Sequence, residues 1–180
     1  MAEVRLDAAD IRRTLGRMAH QILEYCKGAE DLVVVGVLRR GFPVAKRLAF
    51  SMTQIEGVTI PCGSLDVRAY RDDLPPQAEM KDESEIPFSV EGKTVLLVDE
   101  VIQTGRTIRA ALDALFHHGR PKKVLLAVLI DRDARELPIQ PDFVGKYLEV
   151  SPEEKIEVRL GESESEEAVV VTKGTASCIF

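Results

Sequence analysis

The chain has 180 residues, 45% of them apolar and 30% charged, the make-up of a globular protein long enough for one domain of generous size. Its formal net charge of −6 argues against a nucleic-acid binder driven by overall charge, though a local basic face is compatible with it. No apolar run approaches the roughly 20 residues of a membrane span, the charged N-terminus does not read as a signal peptide, and three scattered cysteines (Cys26, Cys62, Cys178) give neither a C-x-x-C pair nor a disulfide framework, which points to a reducing cytoplasm.

Residues 8–25 carry a helical pattern, with Ile11, Leu15, Met18, Ile22 and Tyr25 at spacings of three or four, Asp7 placed to cap the start and Gly28 just past the end. His20, on or beside that apolar face, reads as structural. The unbroken apolar run at residues 32–37 predicts a strand buried on both faces. Leu38-Arg39-Arg40-Gly41-Phe42-Pro43 follows it, and residues 41–52 read as a helix with Val44, Leu48 and Met52 inward. Residues 60–70 look extended. Residues 71–87 hold Pro75, Pro76 and Pro87, many acids and no period, as a mobile arm or lid would.

Residues 95–98 predict a second buried strand, ending in Asp99 and Glu100; after a short loop, Thr104-Gly105-Arg106-Thr107 opens an amphipathic helix over 108–117, with Thr104 as its N-cap and His117-His118 complementing its dipole. Residues 123–130 read as a third buried strand and 142–145 as a fourth, very short one. Residues 155–160 and 168–172 alternate enough to be late strands, and the acidic tract 162–167 reads as a solvated turn. Strands alternating with helices imply an α/β fold with a mostly parallel central sheet flanked by helices. Ligands in such sheets sit beyond the carboxyl ends of the strands, where Arg39 and Asp99 both fall.

Neither common phosphate motif is present. Gly36 and Gly41 have P-loop spacing, but Phe42 stands where Lys is required, and there is no G-x-G-x-x-G. Asp99 and Glu100 taken alone could be a polar strand end, and Arg39-Arg40 a solvated turn. Two adjacent carboxylates closing a buried strand are nevertheless unfavourable unless solvated or bound to cations, and guanidinium groups suit phosphate oxygens. Acids that grip hydroxyls and a hydrated metal, beside a small-residue turn whose free N–H groups cradle phosphate, can hold a sugar phosphate.

An acidic pair, a loop and Thr-Gly-x-Thr resemble the signature of type I phosphoribosyltransferases, which bind phosphoribosyl pyrophosphate (PRPP). In chain order, Arg12-Arg13, Arg17-x-Ala19-His20, Gly36-x-x-x-Arg40-Gly41, Tyr70-Arg71-Asp72-Asp73-Leu74, Gly119-Arg120-Pro121, Arg135-Glu136-Leu137-Pro138-Ile139 and Asp142-Phe143-Val144-Gly145-Lys146 resemble the PyrR family. That family pairs uracil phosphoribosyltransferase activity with RNA-binding attenuation of pyrimidine genes, and the likeness covers residues 8–172.

The resemblance implies the type I phosphoribosyltransferase fold over a single domain, residues 1–180, with a flexible flap at about 71–87. It implies that Asp99 and Glu100 hold the ribose hydroxyls and, through PRPP or water, Mg²⁺. Gln103, Thr104, Gly105, Arg106 and Thr107 would wrap the 5′-phosphate, with Val101 and Ile102 also in the PRPP site. Arg39, Arg40 and Gly41 would form the pyrophosphate loop, with a non-proline cis peptide at Arg39–Arg40, and Arg71 would act at the flap. The base would lie near Arg132 and the backbone of Ile156, with 142–145 shaping its pocket. Asp99, Glu100, Arg40 and Arg71 are then the catalytic set, and Arg12, Arg13, Arg17 and Arg135 a basic RNA face.

The departures from the family are local. Glu100 replaces an aspartate and Gln103 a tyrosine; Gly16 and Arg39 stand for threonines, Asp133-Ala134 for Gly-His, and Gln140 for arginine. These weaken the expected RNA face. Three functions stay open on the sequence. The first is a uracil phosphoribosyltransferase making UMP, as a cytoplasmic homodimer or homotetramer. The second is a nucleotide-sensing regulator of a pyrimidine-operon mRNA leader with little catalysis. The third is a purine phosphoribosyltransferase, disfavoured by Gln103 and by Asp131-Arg132 in place of a pocket lysine.

Overall fold

The computed structural model describes residues 2–73, 75, 80–161 and 167–174. A first strand, β1 (Ala2–Asp7), runs into helix α1 (Ala8–Cys26). Asp7 closes a capping box with Asp10: its carboxylate accepts the Asp10 N–H (2.8 Å), and the Asp10 carboxylate accepts the Asp7 N–H (3.2 Å). Lys27, left-handed at φ 56°, ends the helix. Ile11, Leu15, Met18, Ala19, Ile22 and Leu23 form its buried face, whereas His20 is exposed, not packed.

Five strands form one wholly parallel sheet: β2 (Leu32–Val37), β3 (Cys62–Leu65), β4 (Thr94–Ile102), β5 (Lys123–Asp131) and β6 (Phe143–Tyr147), in the order β3-β2-β4-β5-β6. Every residue of β2 is buried, as its apolar run predicts. Alternate side chains feed two cores. Leu32, Val34, Leu96 and Val98 pack with α1 and with α2 (Gly41–Glu56). Val33, Val35, Val95 and Leu97 pack with α3 (Arg106–Phe116) on the opposite face. From β2 the chain crosses through α2 to β3 on one side, and from β4 through α3 to β5 on the other. The strand order therefore reverses between β2 and β4. That switch point opens a crevice at their carboxyl ends, and ligands of such sheets lie there.

The late strands, β7 (Glu154–Arg159) and β8 (Ala168–Lys173), lie in a second sheet, antiparallel and ordered β1-β8-β7. The pattern leaves β1 unread because only Leu6 of its six residues is buried. The stretch 60–70 is strand only over β3. The Asp66 carboxylate accepts both the N–H and the guanidinium of Arg68 (3.1 and 3.0 Å), which turns the chain into a short 3₁₀ segment, Arg68–Tyr70. Gly105, at φ 91°, takes the N-cap position of α3 expected for Thr104, whose hydroxyl accepts the Arg106 N–H at 3.2 Å instead. Of the acidic tract expected in solvent, Glu167 is buried and held by both nitrogens of Arg47; residues 162–166 lie outside the described residues, as do 74 and 76–79 of the expected flap and Cys178. Among the described residues no helix is long and apolar enough to cross a membrane.

Candidate active site

Asp99 and Glu100 end the innermost strand, β4, where it faces the switch point. Asp99 is 5% exposed and its Oδ1 accepts the Glu100 N–H at 2.9 Å. Burial, and then the charge of adjacent Glu100, push the Asp99 carboxyl well above the ordinary carboxylate range. Gly41, at the start of α2, is packed against this acid. A Cβ there would stand 2.8 Å from Asp99 Oδ1 and 2.8 Å from the Val98 carbonyl. The two strand-end loops that the sequence marks are thus in backbone contact.

A cleft of about 430 Å³ opens beside the acids. Asp99, Glu100, residues 101–105, Thr107 and Ile108 line it together with Arg71, Asp73, Arg132, Lys155 and Ile156. The acidic pair, the phosphate-type turn and both expected base contacts therefore share one cavity. Arg71 donates to Asp73 through Nε (2.7 Å) and Nη2 (2.5 Å), and this partner, with Asp99 and Asp72 nearby, raises its pKa. Its cation stays in place at any working pH. Arg132 donates to the Glu154 carbonyl (3.2 Å), while its buried Nε has no partner among the described residues.

Several expected residues lie elsewhere. Arg40 lines a separate cavity of about 760 Å³ with Glu157 and Arg159, because it leaves the N-cap of α2 toward the β1-β8-β7 sheet. Arg39 is paired with Glu83, and Arg106 with Asp72 (2.9 Å) and Glu136 (2.7 Å), so neither lines the cleft. The non-proline cis bond is Leu38–Arg39, one peptide before the expected Arg39–Arg40; Leu38 still donates its N–H to the Leu65 carbonyl as β2 ends. Of the expected RNA face, Arg12, Arg13 and Arg17 are exposed on α1, with Arg13 on Asp10 (2.7 Å) and Arg17 on the Gly145 carbonyl (2.5 Å). Arg135 is not part of it: its side chain is 9% exposed and bound to Asp131. Arg132 lines the cleft at the place where the sequence lacks a pocket lysine; Lys155, an exposed residue of β7, also lines it and was missed. The signal was its place beside Ile156, in a strand of mixed polarity that pairs with β8.

The comparisons with known proteins agree with this geometry. The family model of the phosphoribosyl transferase domain matches residues 6–160. A crystal structure of the hypoxanthine phosphoribosyltransferase of Trypanosoma cruzi superposes with a TM-score of 0.72 at 20% identity, over 96% of this chain and 97% of that one. A hypoxanthine phosphoribosyltransferase from Staphylococcus aureus gives 0.66 at 22% identity, over 81% and 77%. The architecture is that of the type I phosphoribosyltransferases, with the acids and the phosphate-type turn at the switch point. Within that class, the chain is 55% identical to the "Bifunctional protein PyrR" of Pelotomaculum thermopropionicum, over 92% of this chain and 93% of the relative. It is 52% identical to that of Brevibacillus brevis over 88% and 90%, and 50% to that of Roseiflexus over 96% of each. The chain belongs to the PyrR family.

Proposed function

We propose that the chain transfers the phosphoribosyl group of PRPP to uracil, giving UMP and pyrophosphate, and acts as one phosphoribosyltransferase domain. The observation that carries this is the shared cleft: hydroxyl-gripping acids, a phosphate-type turn and both expected base contacts line one cavity of about 430 Å³, a volume suited to a nucleotide-sized ligand. Asp99 and Glu100 accept the ribose hydroxyls, and the backbone of residues 103–107 receives the 5′-phosphate at the N-terminus of α3. The base stacks toward Ile156 beside Arg132, both of which line the cleft. As pyrophosphate leaves the anomeric carbon, positive charge grows on the ribose ring, and the acidic pair, Asp99 buried and Glu100 half-buried, favours it. Arg71 and the Gly41 loop meet the departing anion. Arg71 and Asp73, beside the acids, help to keep out water, the competing acceptor.

Two adjacent carboxylates fit a hard cation that keeps most of its water, as Mg²⁺ does. Among the described residues no group of three or more His, Cys, Asp or Glu side chains could cage a metal, so Asp99 and Glu100 would hold the ion together with PRPP. An ion held there would supply positive charge for the pyrophosphate oxygens. Mg²⁺-dependent conversion of uracil and PRPP to UMP by the purified homo-oligomer, dimer or tetramer, tests the reading. PRPP binding without UMP formation refutes the catalytic part.

The family's regulatory role, UMP-dependent binding of a pyrimidine-operon mRNA leader, belongs to the same proposal; it rests on Arg12, Arg13 and Arg17 alone. A gel shift with that leader, with and without UMP, tests it. Lys155 gives the purine reading one specific support, since a lysine is a ready donor to a purine carbonyl. Equal or better turnover of hypoxanthine than of uracil would establish that reading.

A further inference from the structure

The guanidinium of Arg135 is turned into the protein. Its Nη1 and Nη2 donate to the two oxygens of Asp131 (3.0 and 2.6 Å) and its Nε to the Ile139 carbonyl (2.8 Å). The same Nη1 reaches the Gln103 carbonyl at 3.0 Å. This bond is one of a series. The Arg132 N–H donates to the Ile102 carbonyl (3.2 Å), and the N–H groups of Glu136 and Leu137 both donate to the Thr104 carbonyl (2.9 and 3.1 Å). Three consecutive carbonyls of the phosphate-type turn are thus drawn to one side by residues 132–137. In a planar trans peptide the N–H points opposite to the C=O. Fixing the carbonyls of residues 102, 103 and 104 therefore turns the N–H groups of Gln103, Thr104 and Gly105 away from the brace, on a turn that lines the cleft. Gly105 leaves room for it: a Cβ there would touch the Ile139 and Leu137 side chains at 3.4 and 3.5 Å.

We propose that Arg135 is a positioning residue for the phosphate-binding turn: pinned by Asp131, it fixes the Gln103–Thr104 peptide so that the Thr104 N–H meets the 5′-phosphate of PRPP. The proposal rests on the cleft being the PRPP site. It assigns Arg135 to substrate binding in place of an RNA surface, and it makes Asp131 the anchor that holds the arginine in register. With the bond from Nη2 to the Gln140 side-chain oxygen (3.2 Å), five bonds converge on one nearly buried guanidinium, and no single-pointed cation can replace it.

The test is PRPP affinity by calorimetry with Mg²⁺, together with steady-state kinetics, on R135M, D131N/R135M and R135K. A loosened turn raises the Kd and KM for PRPP at least tenfold, while the KM for uracil stays within about twofold and kcat within about threefold. General structural damage would lower kcat and the active fraction without that split. R135M leaves Asp131 as an unpaired buried carboxylate; D131N/R135M removes it and carries the test if the single variant misfolds. R135K keeps a cation beside Asp131 but cannot span both its oxygens and the Gln103 carbonyl, so it must also lose PRPP affinity. A folded variant that binds PRPP as tightly as wild type overturns the proposal, as does loss of leader-RNA binding with PRPP affinity intact. Wild-type protein that binds no PRPP overturns the phosphoribosyltransferase reading itself, a distinct result.

Discussion

Gly41→Ala is the sharpest test of how the two loops are built together. Gly41 is buried, and the added methyl carbon would sit 2.8 Å from Asp99 Oδ1, 2.8 Å from the Val98 carbonyl and 2.9 Å from the Asp99 Cα. Ordinary contact begins near 3.4 Å, so either the start of α2 or the end of β4 must give by about 0.6 Å. Two of the three obstacles are backbone, which cannot rotate aside. Overpacking of this kind costs about 1–3 kcal/mol, which in a chain of this size lowers Tm by roughly 2–12 °C. The displaced element carries either Asp99 or the pyrophosphate loop. A misplacement approaching 1 Å at a reacting centre costs on the order of 100-fold in rate, so G41A should lose at least tenfold in kcat/KM for PRPP. Gly16→Ala is the control. Nothing lies within 4 Å of a Cβ there, in the middle of α1, so the same change should stabilise by about 0.5–1 kcal/mol. Scanning calorimetry and PRPP kinetics on the pair decide the matter. A G41A protein with wild-type Tm and wild-type KM would refute the claim that Gly41 packs on Asp99.

Asp99→Asn should stabilise the ligand-free protein and cut turnover at least tenfold. Because the Asp99 pKa is raised in the fold, its protonated form is favoured there, and wild-type stability falls as pH rises through that pKa. The Tm advantage of D99N should therefore widen from acid toward neutral pH in thermal melts, and a constant advantage would refute the burial argument. Glu83→Gln releases Arg39 from its acid partner; the pair is 69% and 42% exposed, so stability should change by less than about 1 kcal/mol. The KM for PRPP should fall severalfold, and no change would mean that Arg39 does not meet the pyrophosphate. Asp66 anchors the segment at residue 83, accepting the Glu83 N–H at 3.2 Å, while Arg68 keeps its pKa down at about 2. Its stabilisation is present above the ordinary carboxylate value near pH 4 and is lost as pH falls toward 2. Discounted for the partly exposed Arg68, it amounts to about 1 kcal/mol. D66N should speed limited proteolysis within residues 80–87, and unchanged cleavage would refute the anchoring role.

What could be seen in the sequence divides by the range of the interaction that determines it. β2, β4 and β5 are sandwiched between helices, so their apolar runs are complete within a few residues, and α1 writes its buried face at spacings of three and four. The second sheet was illegible for the opposite reason. β1 buries one side chain, and its partner β8 begins at residue 168, so nothing near residue 2 records the pairing. Glu167 shows the same limit. Beside neighbouring acids it reads as solvated, yet Arg47, from a helix near the other end of the chain, makes its burial tolerable.

The site divides along the same line, with a consequence for charge as evidence. Asp99, Glu100 and Thr104-Gly105-Arg106-Thr107 form a contiguous run at one strand end, so their chemistry could be read locally, and the fold needed only to bring Gly41 against them. The cations could be read by sign but not by direction. Arg40 turns to a neighbouring cavity and Arg39 to Glu83. Arg135 turns inward because Asp131, one helical turn earlier in number but at the end of β5, waits there with both oxygens. An arginine counted toward a basic face is thus withdrawn from it by a carboxylate that the same count enters as an independent charge. The net charge of −6 is unaffected by that pairing, but the surface field is not: of the four arginines read as one basic face, the three on α1 stay exposed, and there Arg13 already has Asp10 as a neighbour. The segment that gives up surface charge gains a grip on the phosphate turn, so substitutions at 131–137 should be judged first by their effect on PRPP.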